Sequence, residues 1–545
     1  MALVLRGTVV TFDEEHRILD PGAVYVGDDG RLGAVQPAGQ PPPAGFAAAP
    51  AVDLTGTGAL VLPGLVDLHS HLQYNTLPLW EAVGVPYPHH DRWVDEKRPP
   101  DYSTSVTWPA KVLGTAAPEA LLAYIEVKAL VGGSTSLQGA PRSTRPIDGG
   151  LVRIVDLEKL PAGHDMVLTA ALQKTADELR DQTAGLLNGT RVLIYHVAEG
   201  RHVTEPDPTK PVSHVHIEFD HLAPCLKPGL ICVHGTALTP AEFAAWQQGV
   251  TAVNPAERGT VVWSPFSNHW LYHETTDVVA ATAQGLRIAL GSDWSPSGTK
   301  HVLGELKVAD GINHHELGDH FDDRGLCDMV TANPGDALAT AWGPQVGRLA
   351  AGSLADLLVL ERHEPGEDVY RNLVDATERH VLLVVARGVP RYGTGPLMTA
   401  AGATDTDAIE PVAGLRRRVA VRRTGGTTGA DGAGATGAGA TLDWPAVKRA
   451  LEKVRRDPQA AWRDAQEGLV AWGAPLADPD APLALFGDMP EGEEVALAGT
   501  DDVPAGLVIP ELDALTHDEA FFAAVDRTGI PELQRLRKYY EEGPA

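Results

Sequence analysis

Leu65-Val66-Asp67-Leu68-His69-Ser70-His71 decides how the rest of this chain is read. It is an apolar run that closes on two histidines one residue apart. In an extended chain, residues i and i+2 point to the same face. His69 and His71 can therefore converge on one ion at the end of a buried strand, where neutral imidazole nitrogens are common metal ligands. The spacing is weak by itself: in a chain with 21 histidines, a surface strand whose alternate residues happen to be histidine is the better reading of an isolated His-x-His. The question is whether other strand ends supply the rest of a coordination shell.

Three segments do. Arg191-Val192-Leu193-Ile194-Tyr195-His196-Val197-Ala198-Glu199-Gly200 places His196 at a strand terminus with a carboxylate three residues on. Leu230-Ile231-Cys232-Val233-His234-Gly235 repeats the form, and Ile288-Ala289-Leu290-Gly291-Ser292-Asp293-Trp294 puts an aspartate in the same place. These belong to a longer series of apolar strand candidates: Ala59–Leu65, Ser134–Gln138, Leu151–Val155, Val192–His196, Leu230–His234, Thr260–Trp263 and Arg287–Leu290. Helical stretches such as Pro118–Val131, Leu172–Leu187 and Pro240–Gln248 lie between them. Strand and helix alternating over 58–345 predict an α/β fold, a (β/α)8 TIM-like barrel, whose active site gathers at the C-terminal strand ends. An open doubly wound sheet is the alternative.

The flanks differ in character. Residues 1–57 hold short strand-like runs, Leu3–Val10 and Gly22–Val26, punctuated by turn formers, and from Gly347 short strands return at Asp356–Leu360 and Val381–Ala386, ending near Tyr392. The Gly/Ala/Thr tract 424–441 cannot bury enough apolar surface to offset its ordering entropy, and a flexible linker is expected over 396–442. Beyond it, Trp444–Lys453 and Glu519–Tyr540 carry helical patterns with charged faces. They predict a mostly helical C-terminal appendage over 443–545, or else a lid or protomer contact packed back on the barrel. No internal repeat is evident.

At 545 residues, 43% of them apolar, the chain exceeds the size of a single core, and two or three units are expected. A net charge of -28 argues against nucleic acid or an anionic membrane as partner. Three scattered cysteines, Cys225, Cys232 and Cys327, are too few for a disulfide framework or a thiolate zinc site and suit a reducing compartment. The N-terminus reads as a strand rather than a signal peptide, and no apolar run approaches the roughly 20 residues of a membrane span. A cytoplasmic homo-oligomer, a dimer, acting on a small molecule is the expectation.

The chain resembles the amidohydrolase superfamily, in the cyclic deaminase and chlorohydrolase branch that includes guanine deaminase-like and triazine hydrolase-like enzymes. The resemblance covers roughly 1–395. It is carried by Pro63-Gly64-Leu65-Val66-Asp67-Leu68-His69-Ser70-His71, His196-Val197-Ala198-Glu199, His234-Gly235, Ser264-Pro265-Phe266-Ser267-Asn268 and Leu290-Gly291-Ser292-Asp293. Thr331–Leu338 with Gly347–Leu360 looks like the family's passage from barrel to second domain. The resemblance implies a composite β-sandwich from 1–57 and 346–395 around a metal-dependent barrel at 58–345. It implies that His69, His71, His196 and Asp293 bind one divalent metal, for which zinc fits the nitrogen-rich set best and iron or manganese is admissible. Such a metal activates a water. Glu199 is then expected to shuttle a proton, and His234 to hydrogen-bond the water or polarise the scissile bond, while Asp293 serves as ligand and proton acceptor. Asp67 is either a turn residue or a support of a ligand histidine.

Gln73, Trp80, Asn268 and Trp294 are the candidate substrate contacts, with structural packing the competing reading for each tryptophan and turn formation for Asn268. His214-Val215-His216 offers a rival His-x-His pair, but no third ligand accompanies it on a strand end. His314-His315, His269 with His273, and Lys300-His301 read as pocket wall or surface. Lys159 and Lys174, candidates for a lysine bridging two metals, close no apolar strand, and one metal is expected. The reading is a hydrolase of carbon-nitrogen bonds other than peptide bonds, favoured as a deaminase of a nitrogen heterocycle. Hydrolysis of an amide, a cyclic amide or another carbon-heteroatom bond is the second enzyme reading, and an inactive scaffold or binding protein is the alternative of another class.

Overall fold

In the computed structural model Leu65–Asp67 is a buried strand, and His69 and His71 lie just beyond its end. The structure describes residues 2–81, 86–95, 99–144, 147, 150–158, 167–170, 177, 179–180, 187, 189–202, 215–364, 366–421, 442–472, 483–486 and 503–541. Leu65–Asp67 pairs in parallel with Ser134–Leu137, which pairs in parallel with Arg153–Ile154. A second parallel sheet of five strands runs in chain order through Val167–Ala170, Val192–Val197, Leu230–His234, Thr260–Trp263 and Arg287–Leu290. The two sheets meet where Ser70 bridges Asp293 in parallel register and Asp293 N donates to His69 O at 2.8 Å.

Alternation sorts the side chains of these strands. Val192, Ile194, Ile231, Val233, Val262 and Ala289 join one apolar cluster with Val66 and Leu68, closed by Leu338 and Trp342 of the helix Ala332–Trp342. Their neighbours Leu193, Tyr195, Cys232, Val261 and Ile288 face the other way, into the cluster that includes the helices. A period of two can serve two cores only if both faces of the sheet are covered, as parallel sheets require. His196 follows Ile194 by two residues and so continues the inner face past the end of the apolar layer. Truncating a buried leucine of that layer, such as Leu338, costs about 2–5 kcal/mol.

The flanking segments share one ten-stranded sheet. Leu3–Val10 pairs antiparallel with Ile18–Val26 and parallel with Leu60–Pro63, which pairs antiparallel with Leu357–Leu360. Val381–Ala386, Val389–Gly393, Arg418–Val419 and Asp407–Ala408 extend the sheet beyond that point. The expected single strand Ala59–Leu65 is thus two: Leu60–Pro63 belongs to this sheet and Leu65–Asp67 to the parallel one. The chain turns between them at Gly64, where a Cβ would lie 2.2 Å from Thr135 Oγ1.

The C-terminal third departs further from expectation. Within the segment expected as linker, Gly395–Ala400 is helical and Arg418–Val419 joins the sheet, because Met398, Val412 and Val419 are buried. The tract 422–441 lies outside the described residues. Trp444–Arg456 is a helix seated on Pro118–Val131, with Tyr124 and Trp444 stacked at 5.5 Å. Glu519–Tyr540 is not one helix: Glu519–Thr528 closes on Gly529 in the left-handed region and Pro531 starts a new turn. All three cysteines are buried and free. Among the described residues no helix is long and apolar enough to cross a membrane.

Candidate active site

The ends of the parallel strands carry backbone that non-glycine residues rarely adopt. Ala198, His234 and Asp293 have φ of 51°, 64° and 59°, in the left-handed region. Each stands where an apolar strand stops, so each turns the chain sharply and aims a side chain, or that of a near neighbour, across the strand ends. Such strain persists only where surrounding structure holds it, and it clusters at functional sites. The approach is close: at Gly291 a Cβ would lie 2.3 Å from the Cβ of His69.

Four of the expected ligands come together there. His69 Nε2 lies 3.0 Å from His196 Nε2, 3.3 Å from His71 Nε2 and 3.4 Å from Asp293 Oδ1. His71 Nε2 is 3.3 Å from His196 Nε2 and 3.5 Å from Asp293 Oδ1. Four donors around one zinc, at a zinc-nitrogen distance of about 2.0–2.1 Å, stand roughly 3.3 Å apart. The five separations given above match that spacing, and the donor types suit a divalent cation.

The electrostatics agree. Burial, and then the neighbouring imidazoles, hold His69 well below the usual histidine range, so its lone pair is available. Its Nδ1 lies 2.8 Å from Ser264 Oγ, a hydroxyl that can accept from Nδ1–H, the tautomer that leaves the lone pair on Nε2. Burial pushes Asp293 up to about 7, and His71 only partly offsets this. A cation at Oδ1 reverses that shift. Asp67, also raised by burial to about 7, accepts from His69 N at 3.2 Å, from Ser292 N at 3.1 Å and from Ser292 Oγ at 2.5 Å. It ties the His69 loop to the Asp293 loop.

His234 stands beside these four residues with its ring 4.7 Å from that of His69, and a chain of donors sets its tautomer. Trp263 Nε1 donates to Thr275 Oγ1 at 2.7 Å, which donates to Asn268 Oδ1 at 3.3 Å, which leaves Asn268 Nδ2 to donate to His234 Nδ1 at 3.1 Å. Nδ1 is then an acceptor and the proton sits on Nε2. His234 presents a donor to the site and not a lone pair. Glu199 lies 3.7 Å from that Nε2. Its Oε1 accepts from Tyr272 OH at 2.7 Å, and Tyr272 OH accepts from Trp93 Nε1 at 2.9 Å. Burial raises the Glu199 carboxyl, with His90 and Tyr272 pulling the other way.

The four candidate substrate contacts separate. Trp294 is edge-on to His71 at 6.1 Å and to Tyr74 at 5.1 Å, with Trp93 and Tyr102 beside it, an aromatic wall next to the ligands. Gln73 is buried with no hydrogen-bond partner for Nε2 among the described residues. Trp80 stacks on Tyr87 and donates to Pro100 O at 2.8 Å, and the amide of Asn268 is engaged by His234. Of the rival histidines, His314 and His315 end the helix Val302–His315, and His301 joins a separate cluster with Glu378 and His517. His214, Lys159 and Lys174 lie outside the described residues, as does the side chain of His216.

Sequence reasoning passed over Tyr272, the Ser264 contact and the pair His90–Glu218. His90 Nε2 is 2.7 Å from Glu218 Oε1, and Glu218 Oε2 accepts from Ala198 N at 2.7 Å, next to Glu199. Burial would lower His90, but Glu218, with Glu199 and Asp91, raises the imidazole to about 9.

No family model matches the chain. It is 25% identical over 362 residues to the 5'-deoxyadenosine deaminase of Methanothermobacter thermautotrophicus, a match covering 58% of this chain and 77% of the relative. It is 25% identical over 395 residues to the 5-methylthioadenosine/S-adenosylhomocysteine deaminase of Syntrophobacter fumaroxidans, covering 67% of this chain and 85% of the relative. Among solved structures, the zinc-complexed atrazine chlorohydrolase of Arthrobacter aurescens matches with a TM-score of 0.53 and 16% identity, over 71% of this chain and 94% of that one. At that identity the structural likeness speaks for the fold.

Proposed function

We propose that the chain is a member of the amidohydrolase superfamily, in its deaminase and chlorohydrolase branch, and a metal-dependent hydrolase that adds water to a nitrogen heterocycle and expels ammonia, as its similarity to two deaminases supports. The observation that carries the reading is the convergence of His69, His71, His196 and Asp293, each with a donor atom within 3.5 Å of at least two others. We read the parallel strands of the two sheets as a (β/α)8 barrel over 58–345, joined at the Ser70–Asp293 bridge, with the flanks 1–57 and 346–395 as its companion β-domain.

In this reading those four residues hold one divalent cation, best zinc. When bound, the cation supplies Lewis acidity that activates water at neutral pH. Glu199 takes the proton from the attacking water and returns it to the ring nitrogen or leaving amine; burial keeps its pKa high enough to do both. Tyr272 holds the Glu199 carboxyl in place. His234 donates from Nε2 to the oxygen that adds, and Asn268 positions His234 rather than touching substrate. Trp294, Trp93 and Tyr102 form an apolar wall for a flat ring, and Gln73 Nε2 is a free donor for its edge.

The test is ammonia release by zinc-replete enzyme over purine nucleosides, free purines, pyrimidines, pterins and triazines, with chloride release from chlorotriazines followed in parallel. One equivalent of bound zinc and ammonia from at least one class is the expected result. Protein that holds no zinc under replete conditions would count for an inactive scaffold. Ring opening without ammonia would move the reading to cyclic amide hydrolysis.

A further inference from the structure

We propose that the C-terminal segment 503–541 is part of the active-site frame, and that Asp513 is a positioning residue which, by pairing with both Lys128 and Lys300, fixes the loops carrying His71 and Asp293. Lys128 and Lys300 are both buried to 1% exposure, and Asp513 to 7%. Asp513 pairs with Lys128 through Oδ2 and with Lys300 through Oδ1. Two ammonium groups thus depend on one carboxylate supplied from far along the chain. Asp518 Oδ1, on the same segment, lies 4.0 Å from Lys300 and is half-exposed.

Lys128 is the node that reaches the site. Its Nζ donates to Asn75 O at 3.0 Å, in the loop after His71, and to Ser295 Oγ at 2.6 Å, two residues past Asp293. Asn75 continues the network: its Oδ1 accepts from Ser295 N at 2.9 Å and its Nδ2 donates to Ser70 Oγ at 2.8 Å, between the two ligand histidines. The segment also touches the first loop directly, through Asp513 N donating to Thr76 O at 2.8 Å. Tyr124 OH donates to Asp513 O at 2.7 Å, which locks the aspartate backbone to the helix that carries Lys128. Lys300 N donates to His517 Nε2 at 3.2 Å, so the segment grips the far end of the Asp293 loop as well.

The physical reason for coupling is charge. Removing one partner of a buried pair leaves an uncompensated charge, which reorganises its surroundings until it finds water or another partner. For Lys128 those surroundings are Asn75 and Ser295, so loss of Asp513 reaches His71 and Asp293 through hydrogen bonds that already exist.

The test uses the full chain and four proteins: wild type, Asp513→Asn, Asp513→Asn with Lys128→Met, and Arg537→Ala. Arg537 ties Glu519, Asp526 and Glu541 together at the surface of the same segment, without contact to either loop, and serves as the control for simple loosening. Amide exchange followed by mass spectrometry reads the loops at 70–77 and 293–297 without requiring metal, and zinc release to a chelator reads the site. Asp513→Asn is expected to speed exchange in both loops and zinc release by roughly tenfold or more, the range seen when the support of a ligand is removed. The double variant, which removes the cation left uncompensated beside Asn75 and Ser295 while Asp518 stays 4.0 Å from Lys300, should recover a large part of both. Exchange in the loops unchanged in Asp513→Asn, or equally raised in Arg537→Ala, overturns the proposal. If Asp513→Asn does not fold but the double variant folds with ordered loops, charge compensation is supported; if neither folds, Asp513 is a fold determinant and the proposal fails. The zinc arm rests on the proposed metal site, whereas the exchange arm does not: wild type without zinc would sink that reading and leave exchange to decide this one.

Discussion

Two buried clusters in this molecule use the same side chains to opposite ends. Around His69, three imidazole nitrogens stand 3.0–3.3 Å apart, and a carboxylate oxygen lies 3.4–3.5 Å from two of them. Around Glu378, His301 Nε2 lies 3.0 Å and His517 Nδ1 2.6 Å from one carboxylate oxygen, with Tyr540 OH at 3.3 Å. By composition either is a metal site. The outer nitrogens separate them. Gly304 N donates to His301 Nδ1 at 3.3 Å and Lys300 N donates to His517 Nε2 at 3.2 Å. A backbone N–H can only donate, so both inner nitrogens carry protons and point them at Glu378, which this ring of donors holds well below the usual range despite burial. That cluster is complete as a hydrogen-bonded anion. In the first cluster the outer partner of His69 is a hydroxyl able to accept, which leaves its Nε2 lone pair for the cation proposed there. The partner on the far side of the ring decides whether a histidine cluster binds metal or anchors a carboxylate.

The comparison is easiest to break at its chemical end. Glu199→Gln is expected to lower kcat about 10²–10⁴-fold while zinc stoichiometry stays that of wild type; full turnover in a zinc-loaded variant would remove Glu199 from the mechanism. Next in size is Glu378→Gln, which leaves two N–H donors facing an amide and should cost on the order of 3 kcal/mol in chemical denaturation, with zinc content unchanged. Loss of zinc in that variant would mean that the two clusters had been assigned the wrong way round. Ser264→Ala sharpens the argument about outer partners: without an acceptor for Nδ1, His69 no longer holds its lone pair inward, and zinc affinity by chelator competition should fall about 10–100-fold.

The smallest effect is a pH dependence. His90, raised to about 9 from an ordinary 6.5, binds its proton more tightly folded than unfolded. Its contribution to stability is therefore full below about pH 6.5 and lost as pH rises through about 9. Wild type should lose about 1–2 kcal/mol more than His90→Gln between those limits, measured by denaturation at each pH. Parallel curves for the two proteins would show that the pair with Glu218 does not stabilise the fold.

The four converging residues were legible because each follows an apolar run, and an apolar run of four to six residues between helices reads as a buried parallel strand. His196 continues the inner face of Val192–Val197 by simple alternation. The partners of the ligands were not legible in that way. Ser264 lies 195 residues from His69, and Asp513 lies 385 from Lys128. No local period links them, and a serine or aspartate in a polar stretch looks like any turn residue. Tyr272 had a faint signal, since His269-Trp270-Leu271-Tyr272-His273 is unusually aromatic, but whether its hydroxyl meets Glu199 depends on how the helix Pro265–Tyr272 sits above the sheet. The linker expectation misplaced 396–421 because weight fell on the adjoining glycine tract and not on the buried apolar residues before it.

The amino-acid sequence by itself determined the strand-helix alternation, the residues that stand at the strand ends and the kind of chemistry their donors permit, because hydrophobic period and ligand type are local properties. Tertiary structure alone decided which nitrogen of His234, His301 and His517 carries the proton, which histidine cluster already holds a carboxylate, and that the C-terminal segment packs against the loops beside His71 and Asp293. Those outcomes depend on which donor or acceptor arrives from a distant part of the chain, and buried polar groups take the partners that packing brings to them.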